Sequence, residues 1–430
     1  MGNDPQGKER TMKTAEILAT GDEIRTGALI DTNTAYIAEK LEEIGLEVTR
    51  HVTVGDAMDA LVAVLQEIAK RADIAVVTGG LGPTTDDLSA EAAARAADVP
   101  LVLDSEAKVS METYFSRRGK SIPSTDNKQM LLPETAGCLK NRVGTAPGFS
   151  LRIQECTFYF MPGVPHEMYE MLNCQVLPCI RKQLGEDGTV HQTRSVSTFG
   201  LPESEVNHRL LTFPEYFPDL QMGLRAIFPE VHVKVYGRGR DHHRLCNRLK
   251  EAVLWIGHQI GRPAFSLFGN SMAAELGRLL VKQRVTLAVA ESCTGGLIAS
   301  HLTDVPGCSE YFLFSGVTYA NEAKINVLGV LPETLATYGA VHGNTVKQMA
   351  EGARRISGAE YAIATSGIAG PTGGSADKPV GTVCIGLATP EGVTSHRYHF
   401  TFGDRSMNKL MFATMALELL RRELLTKDML

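Results

Sequence analysis

The passage that most constrains this chain of 430 residues lies in its last third, AVAESCTGG at positions 288–296. An apolar β-type run over 285–290 ends in Glu291 and Ser292. Thr294, Gly295 and Gly296 follow, and an apolar, helix-like segment starts at Leu297. Strand, tight hydroxyl-bearing turn, helix is an α/β arrangement that can present a nucleophile, and it also aims backbone N–H groups at an anion. Taken alone, Ser292 reads equally as a helix N-cap, the commonest task of a serine at such a turn. Its neighbours in the chain weigh on that choice.

Composition narrows the class. The length suggests about three domains, and 43% hydrophobic with 21% charged residues is globular usage. A net charge of −6 argues against a nucleic-acid binder, which would carry a basic face. No apolar run approaches the ~20 residues of a membrane helix. The start, MGNDPQGKER, has no apolar core of a secretory signal; residues 1–12 are expected as a disordered tail and the protein as cytoplasmic. The eight cysteines show no C-x-x-C spacing, so reduced thiols are expected rather than zinc or redox sites.

Residues 13–20 read as a strand with Gly21, Asp22 and Glu23 at its carboxyl end. A helical stripe (Tyr36, Ile37, Leu41, Ile44), a strand over 46–54 and a helix over 57–72 follow. The apolar strand 74–77 then runs into TGGLGPTTDD at 78–87. Alternation of this kind predicts a doubly wound α/β domain over 13–183, with ligands outside the carboxyl ends of its strands. Gly79, Gly80 and Gly82 would let backbone approach a bulky anion, Thr84 and Thr85 add hydroxyls, and Asp86 with Asp87 could hold a hard divalent metal. The plain alternative is that the aspartates cap the next helix. Without a metal they would repel a diphosphate. His166-Glu167 lacks the second histidine of a zinc-protease helix.

Residues 184–262 read as a small α+β module of β-α-β-β-α order, with Trp255 on the apolar face of its last helix and no motif tied to chemistry. The α/β segment 263–430 carries the remaining motifs. In SGVTYANEAK, Tyr319 and Lys324 flank a strand-to-helix bend and could share one pocket. A lysine in such a place can lose its proton and serve a serine as base. In ATSGIAGPTGG, Ser366 and Gly367 end a strand and could supply an oxyanion hole or grip a phosphate. In GDR, Arg405 could clamp a carboxylate or phosphate. Ser375 and Lys378 spell S-x-x-K among glycines and a proline, which reads as coincidence.

These motifs carry a resemblance. TGDEIRTGALIDTNTAYIAEKL, TGGLGPTTDD, APGF (146–149) and MPGVPHEM (161–168) resemble the molybdopterin-binding, MoCF-like domain of the CinA family. AESCTGG, YANEAK, SGIAGPTGG, KPVG and GDR resemble the family's C-terminal nicotinamide-nucleotide amidase domain, over about 265–425. The resemblance implies deamidation of nicotinamide mononucleotide, with no metal, by a Ser292 nucleophile that Lys324 and Tyr319 activate. It leaves open which of the two is the proximal base. It also implies Ser366, Gly367 and Arg405 near the substrate. Thr294 and Gly295, at a helix N-terminus, suit the 5′-phosphate; Cys293 is the rival nucleophile.

For the first domain the resemblance implies ADP-ribose pyrophosphatase activity with a divalent ion such as Co, Mg or Mn. Asp22, Asp86 and Asp87 would be its ligands, and Gly21, Gly79, Gly80, Gly82, Thr84 and Thr85 the diphosphate cradle. The expected partners are small nucleotides and a second copy of the chain, with neither nucleic acid nor membrane. The alternative is a non-enzymatic nucleotide- or molybdopterin-binding scaffold. One departure is His342 where the family often has serine after Gly-Ala-Val; it predicts a changed helix cap, not lost chemistry.

Overall fold

Central strands that are almost wholly apolar must be covered on both faces, and that requirement organises both halves of the molecule. The structure, a computed structural model, describes residues 13–184 and 190–427; the tail expected over 1–12 lies outside them. The chain divides into two compact units, one running to Gln192 with Arg238–Cys246 added, the other combining Thr193–Gly237 with the chain from Asn247 onward.

The first unit contains β1 (Thr14–Thr20), β2 (Glu47–Val54), β3 (Ile74–Thr78), a separate antiparallel pair β4 (Leu101–Leu103) and β5 (Leu131–Pro133), then β6 (Gly137–Leu139), β7 (Gly148–Ile153) and β8 (Cys156–Met161). The main sheet has the order β2-β1-β3-β8-β7-β6. It is parallel through β8, and β7 and β6 add an antiparallel edge. Successive residues of β3 serve opposite faces. Ala75 and Val77 pack with Leu65, Ile68 and Ala92 of the helices Met58–Ala69 and Ser89–Ala97. Ile74 and Val76 pack with Ile37, Leu41 and Met171 of the helices Asn33–Glu43 and Pro165–Met171. This is the doubly wound layer the sequence predicts. Ala19 of β1 lies opposite Thr78 of β3, so Gly21 and the 78–87 loop leave the sheet on one edge.

A second sheet holds β9 (Val190–Phe199), β10 (Leu220–Ile227), β11 (Glu230–Gly239) and β12 (Ala264–Ser266), in the order β10-β11-β9-β12, with most of its residues in the second unit. Trp255, on the helix His242–Ile260, packs its ring against Phe213, Tyr216 and Phe217 with centroids 6.0, 5.4 and 5.9 Å away. The β-α-β-β-α module thus forms. β12 lies beyond residue 262 yet pairs with β9, and the module shares its unit with the C-terminal segment.

That segment holds β13 (Leu287–Glu291), β14 (Phe312–Val317), β15 (Tyr361–Gly367), β16 (Thr382–Thr389) and β17 (Gly392–His399), ordered β14-β13-β15-β16-β17. β14, β13 and β15 are parallel, and β16 and β17 antiparallel. On one face Leu287, Val289, Tyr361 and Ile363 meet Leu276, Leu280, Phe412 and Leu420 of the helices Met272–Gln283 and Arg405–Lys427. Each large side chain buried there contributes about 1.5–3 kcal/mol. The other face is alanine-rich (Ala288, Ala290, Ala362, Ala364) and lets the helix Gly343–Ser357 lie close. A Cβ on Gly386 would collide with the Val346 carbonyl. His342 caps that helix as predicted, its Nδ1 accepting from the Asn344 N–H at 3.1 Å.

Candidate active site

Three strand ends meet at Ser292. The Ser292 N–H donates to the Thr365 carbonyl at the end of β15 (3.0 Å), and the Thr318 N–H, just past β14, donates to the Glu291 carbonyl (2.8 Å). Thr294 Oγ1 and Thr365 Oγ1 are 2.8 Å apart. The turn closes with the Gly295 N–H on the Ser292 carbonyl (3.2 Å). Gly295 (φ 64°) and Gly296 (φ 93°) adopt left-handed conformations that glycine takes without strain. The helix Leu297–Thr303 then begins.

Its N-terminus is not open. Glu291, fully buried, accepts from the N–H groups of Gly296 (2.9 Å), Ile298 (3.2 Å) and Ala299 (2.9 Å). Side-chain capping of this kind satisfies the donors a helix start leaves unpaired. This corrects the expectation that Thr294 and Gly295 offer a phosphate a helix N-terminus. The donors are taken by a carboxylate, and Thr294 is fully buried against Thr365.

Lys324 sits in the first turn of the helix Asn321–Leu328 and is 1% exposed. Its Nζ donates to the carbonyls of Thr318 (2.9 Å) and Tyr319 (2.8 Å) and lies 3.2 Å from Ser292 Oγ. Burial lowers its pKa from the ordinary 10.5, partly offset by Glu322. A neutral amine has two hydrogens and one lone pair. The two carbonyls can only accept, so in the unprotonated amine they would take both hydrogens and leave the lone pair for the Ser292 hydroxyl, while the protonated amine would donate to Ser292 Oγ as its third acceptor.

Tyr319 contributes its carbonyl to this arrangement, not its ring. Tyr319 is 60% exposed, and its hydroxyl accepts from Arg405 Nη2 at 3.3 Å. Arg405 also donates through Nη1 to the Gly370 carbonyl (2.7 Å). Of the two candidate bases, Lys324 alone lies against Ser292. Cys293 points into the core beneath Gly367, and burial pushes its thiol up to about 12, a setting that disfavours the thiolate a nucleophile needs. Ser366 is buried in β15 opposite Cys384. The pairing of Ser292 with Lys324 was readable in the sequence. The role of the Thr318 carbonyl was not, because a backbone acceptor leaves no mark in sequence, nor was that of the Glu291 carboxylate, whose folding back onto the helix start spacing does not reveal.

The first unit holds a second site, a cleft of about 630 Å³ at the ends of β1 and β3. Its walls include Gly21, Gly79, Gly80, Gly82, Thr84, Asp86 and Asp87, as expected from the motifs. Thr85 is exposed and not part of the wall. The expected metal set is not assembled. Asp22 is exposed and bonded to Arg25 (2.9 Å) outside the cleft, and Asp87 is used by the loop itself, accepting from Thr84 N–H (2.9 Å) and Thr84 Oγ1 (2.5 Å). Asp86 remains at the cleft, its carboxyl held below the usual range mainly by the Thr84 hydroxyl. Among the described residues no three acidic, histidine or cysteine side chains converge to hold a metal ion. The sequence reading missed Asp56, which lines the cleft, accepts from the Asp22 N–H (3.0 Å) and has its pKa raised by burial and by neighbouring acids. It also missed Lys128, which donates to the carbonyls of Thr84 and Asp87.

Comparison with known proteins agrees with this two-part reading. Residues 16–182 match the family model described as "Probable molybdopterin binding domain", and residues 269–424 match "CinA C-terminal domain". A CinA-like protein of Desulfosudis oleivorans is 53% identical over 411 residues, covering 96% of this chain and all of its own. A protein of Shewanella oneidensis named nicotinamide-nucleotide amidohydrolase PncC is 41% identical over 414 residues, 96% of each chain. A solved structure described as competence/damage inducible protein CihA from Agrobacterium tumefaciens is 42% identical, covers 35% of this chain and 94% of its own, and has a TM-score of 0.34. The chain belongs to the CinA family.

Proposed function

We propose that the protein hydrolyses the carboxamide of nicotinamide mononucleotide to nicotinate mononucleotide and ammonia, with Ser292 as nucleophile and Lys324 as its base. The observation that carries this reading is the buried Lys324 Nζ, which donates to the carbonyls of Thr318 and Tyr319 and lies 3.2 Å from Ser292 Oγ. The name of the Shewanella oneidensis relative supports the substrate. Ser292 Oγ attacks the amide carbon as its proton passes to Lys324 Nζ. The collapsing intermediate takes that proton back onto nitrogen, and ammonia leaves an acyl ester on Ser292. Water, deprotonated by the same amine, then cleaves the ester. We assign the oxyanion to the N–H groups of Cys293 and Thr294, which follow the nucleophile; one such donor is worth about 3 kcal/mol. Arg405 holds Tyr319 and the Gly370 loop together at the rim.

For the first unit we infer a nucleotide site in the cleft, supported by the backbone of Gly79 and Gly80 at the carboxyl end of β3. Cleavage of ADP-ribose there follows from the family resemblance alone, since Asp22, Asp86 and Asp87 do not form a metal cluster. A homodimer and a cytoplasmic location belong to the same proposal. The test is incubation with nicotinamide mononucleotide in the presence of a chelator. One ammonia per nicotinate mononucleotide formed is expected, and no ammonia would refute the amidase assignment. Titration with ADP-ribose, with and without Mg, Mn or Co, tests the cleft; no binding under either condition refutes it.

A further inference from the structure

A nucleotide substrate brings a phosphate as well as an amide, and the turn that carries Ser292 does not receive it through backbone. The Gly296, Ile298 and Ala299 N–H groups are held by Glu291, so an anion approaching that helix start meets a carboxylate. On its outer side the same turn meets a cation. Lys409, in the helix Arg405–Lys427, holds its Nζ 3.6 Å from where a Cβ on Gly295 would stand. Gly295 is exposed and hydrogen-bonded to the Ser292 carbonyl, so Lys409 lies against the outer wall of the nucleophile's turn.

Arg405 is one helical turn earlier on the same face, its guanidinium on Tyr319 Oη and the Gly370 carbonyl. The adjacent Asp404 does not neutralise either cation. It caps the helix, accepting from Met407 N–H at 2.8 Å and from Ser406 Oγ. Among the described residues Lys409 has no hydrogen bond or ion pair. A partly buried ammonium without a counter-ion, beside a second cation at the mouth of a catalytic turn, is an electrostatic setting for a phosphate.

We propose that Lys409 receives the phosphate of the nucleotide substrate and so sets the preference of the Ser292 site for nucleotides over nucleosides. This rests on the amidase reading above. The geometry is of the right kind. In nicotinamide mononucleotide the pyridine ring, the ribose and the ester oxygen separate the amide carbon from phosphorus, so an amide at Ser292 puts the phosphate out at the rim. Gly295 stands across the turn from Ser292, on the order of 5–7 Å between α-carbons, and Lys409 reaches inward to that point. A cation there touches no reacting atom. It binds ground state and transition state alike, and its loss appears in KM rather than kcat.

The experiment compares nicotinamide mononucleotide with nicotinamide riboside as substrates of the wild-type chain, Lys409→Gln and Lys409→Arg, with ammonia release as the readout. Lys409→Gln keeps the length of the side chain and removes the charge. It is expected to raise KM for the mononucleotide about tenfold with kcat nearly unchanged, and to leave the riboside reaction as it was. Lys409→Arg is expected to restore most of the lost affinity. An unchanged KM for the mononucleotide in an active Lys409→Gln protein overturns the assignment alone, as does an equal loss on both substrates. Absence of ammonia from either compound with the wild-type chain overturns the amidase reading and this assignment with it.

Discussion

The loop after β3 and the turn after β13 start from the same plan. Each follows a fully buried parallel strand, each turns through glycines in left-handed conformations (Gly79 and Gly80 in one, Gly295 and Gly296 in the other), and each leads into a helix. Their interiors differ. At β13 the residue entering the turn is Glu291, whose buried carboxylate fills the helix start, while Lys324 comes from the neighbouring helix to Ser292. At β3 the acids stay at the surface, the loop is pinned by Asp87 and Lys128, and a cleft remains open. A sealed turn can fix one hydroxyl against one amine. An open cleft can take a large ligand but fixes no reacting pair. The contrast fits the proposed division, with covalent chemistry in the second unit and nucleotide binding in the first.

The largest way to break this contrast is to remove the amine. Lys324→Met should lower kcat for ammonia release by about 10³ with KM nearly unchanged; a rate close to wild type would move the base elsewhere. The wild-type pH profile sharpens the same point. Lys324 acts unprotonated, and burial puts its pKa below the ordinary 10.5. Activity should therefore rise with pH through that lowered value and then level off; activity that falls over this range contradicts a neutral-lysine base.

Next in size is the seal. Glu291→Ala leaves three N–H groups at the helix start unpaired and should destabilise the second unit by about 2–4 kcal/mol in urea unfolding. Asp87→Ala, in the exposed loop of the first unit, should cost about 1 kcal/mol. Equal costs would dissolve the difference between the two turns.

The smallest effect concerns His342. Burial, then the nearby Lys378 and Arg397, hold its pKa below 6.5, and capping needs the neutral ring. A lowered folded pKa means the neutral form is favoured on folding. That stability is complete above pH 6.5 and is lost as pH falls through the lowered value. His342→Ser keeps a cap without titrating, so the fall in Tm across this range should flatten; an unchanged slope would assign it to other groups.

How much of this was legible before the structure follows a physical division. The alternation of apolar strands and helices and the strand-end position of both glycine turns depend on residue type and spacing, which a sequence displays; Lys324 beside Ser292 was legible through the family resemblance, which left Tyr319 open as the proximal base. The His342 cap was readable for the same reason. The filling of the helix start by Glu291 was not, because a glutamate before a serine looks the same whether it faces solvent or folds back onto N–H groups. Tyr319 was misplaced for a related reason: its carbonyl, which any residue would supply, holds Lys324, while its ring turns outward to Arg405. The metal set failed because Asp22 and Asp87 find partners within their own loops, a choice that spacing does not reveal.

The central claim is that Ser292, and no metal or thiol, carries the hydrolysis. The most direct measurement is ammonia release from nicotinamide mononucleotide by the wild-type chain and by Ser292→Ala, both with chelator and after thiol alkylation. The account predicts full wild-type activity under both treatments and a loss of at least about 10³ in kcat for Ser292→Ala. Activity retained in Ser292→Ala, or wild-type activity abolished by the chelator, would contradict it.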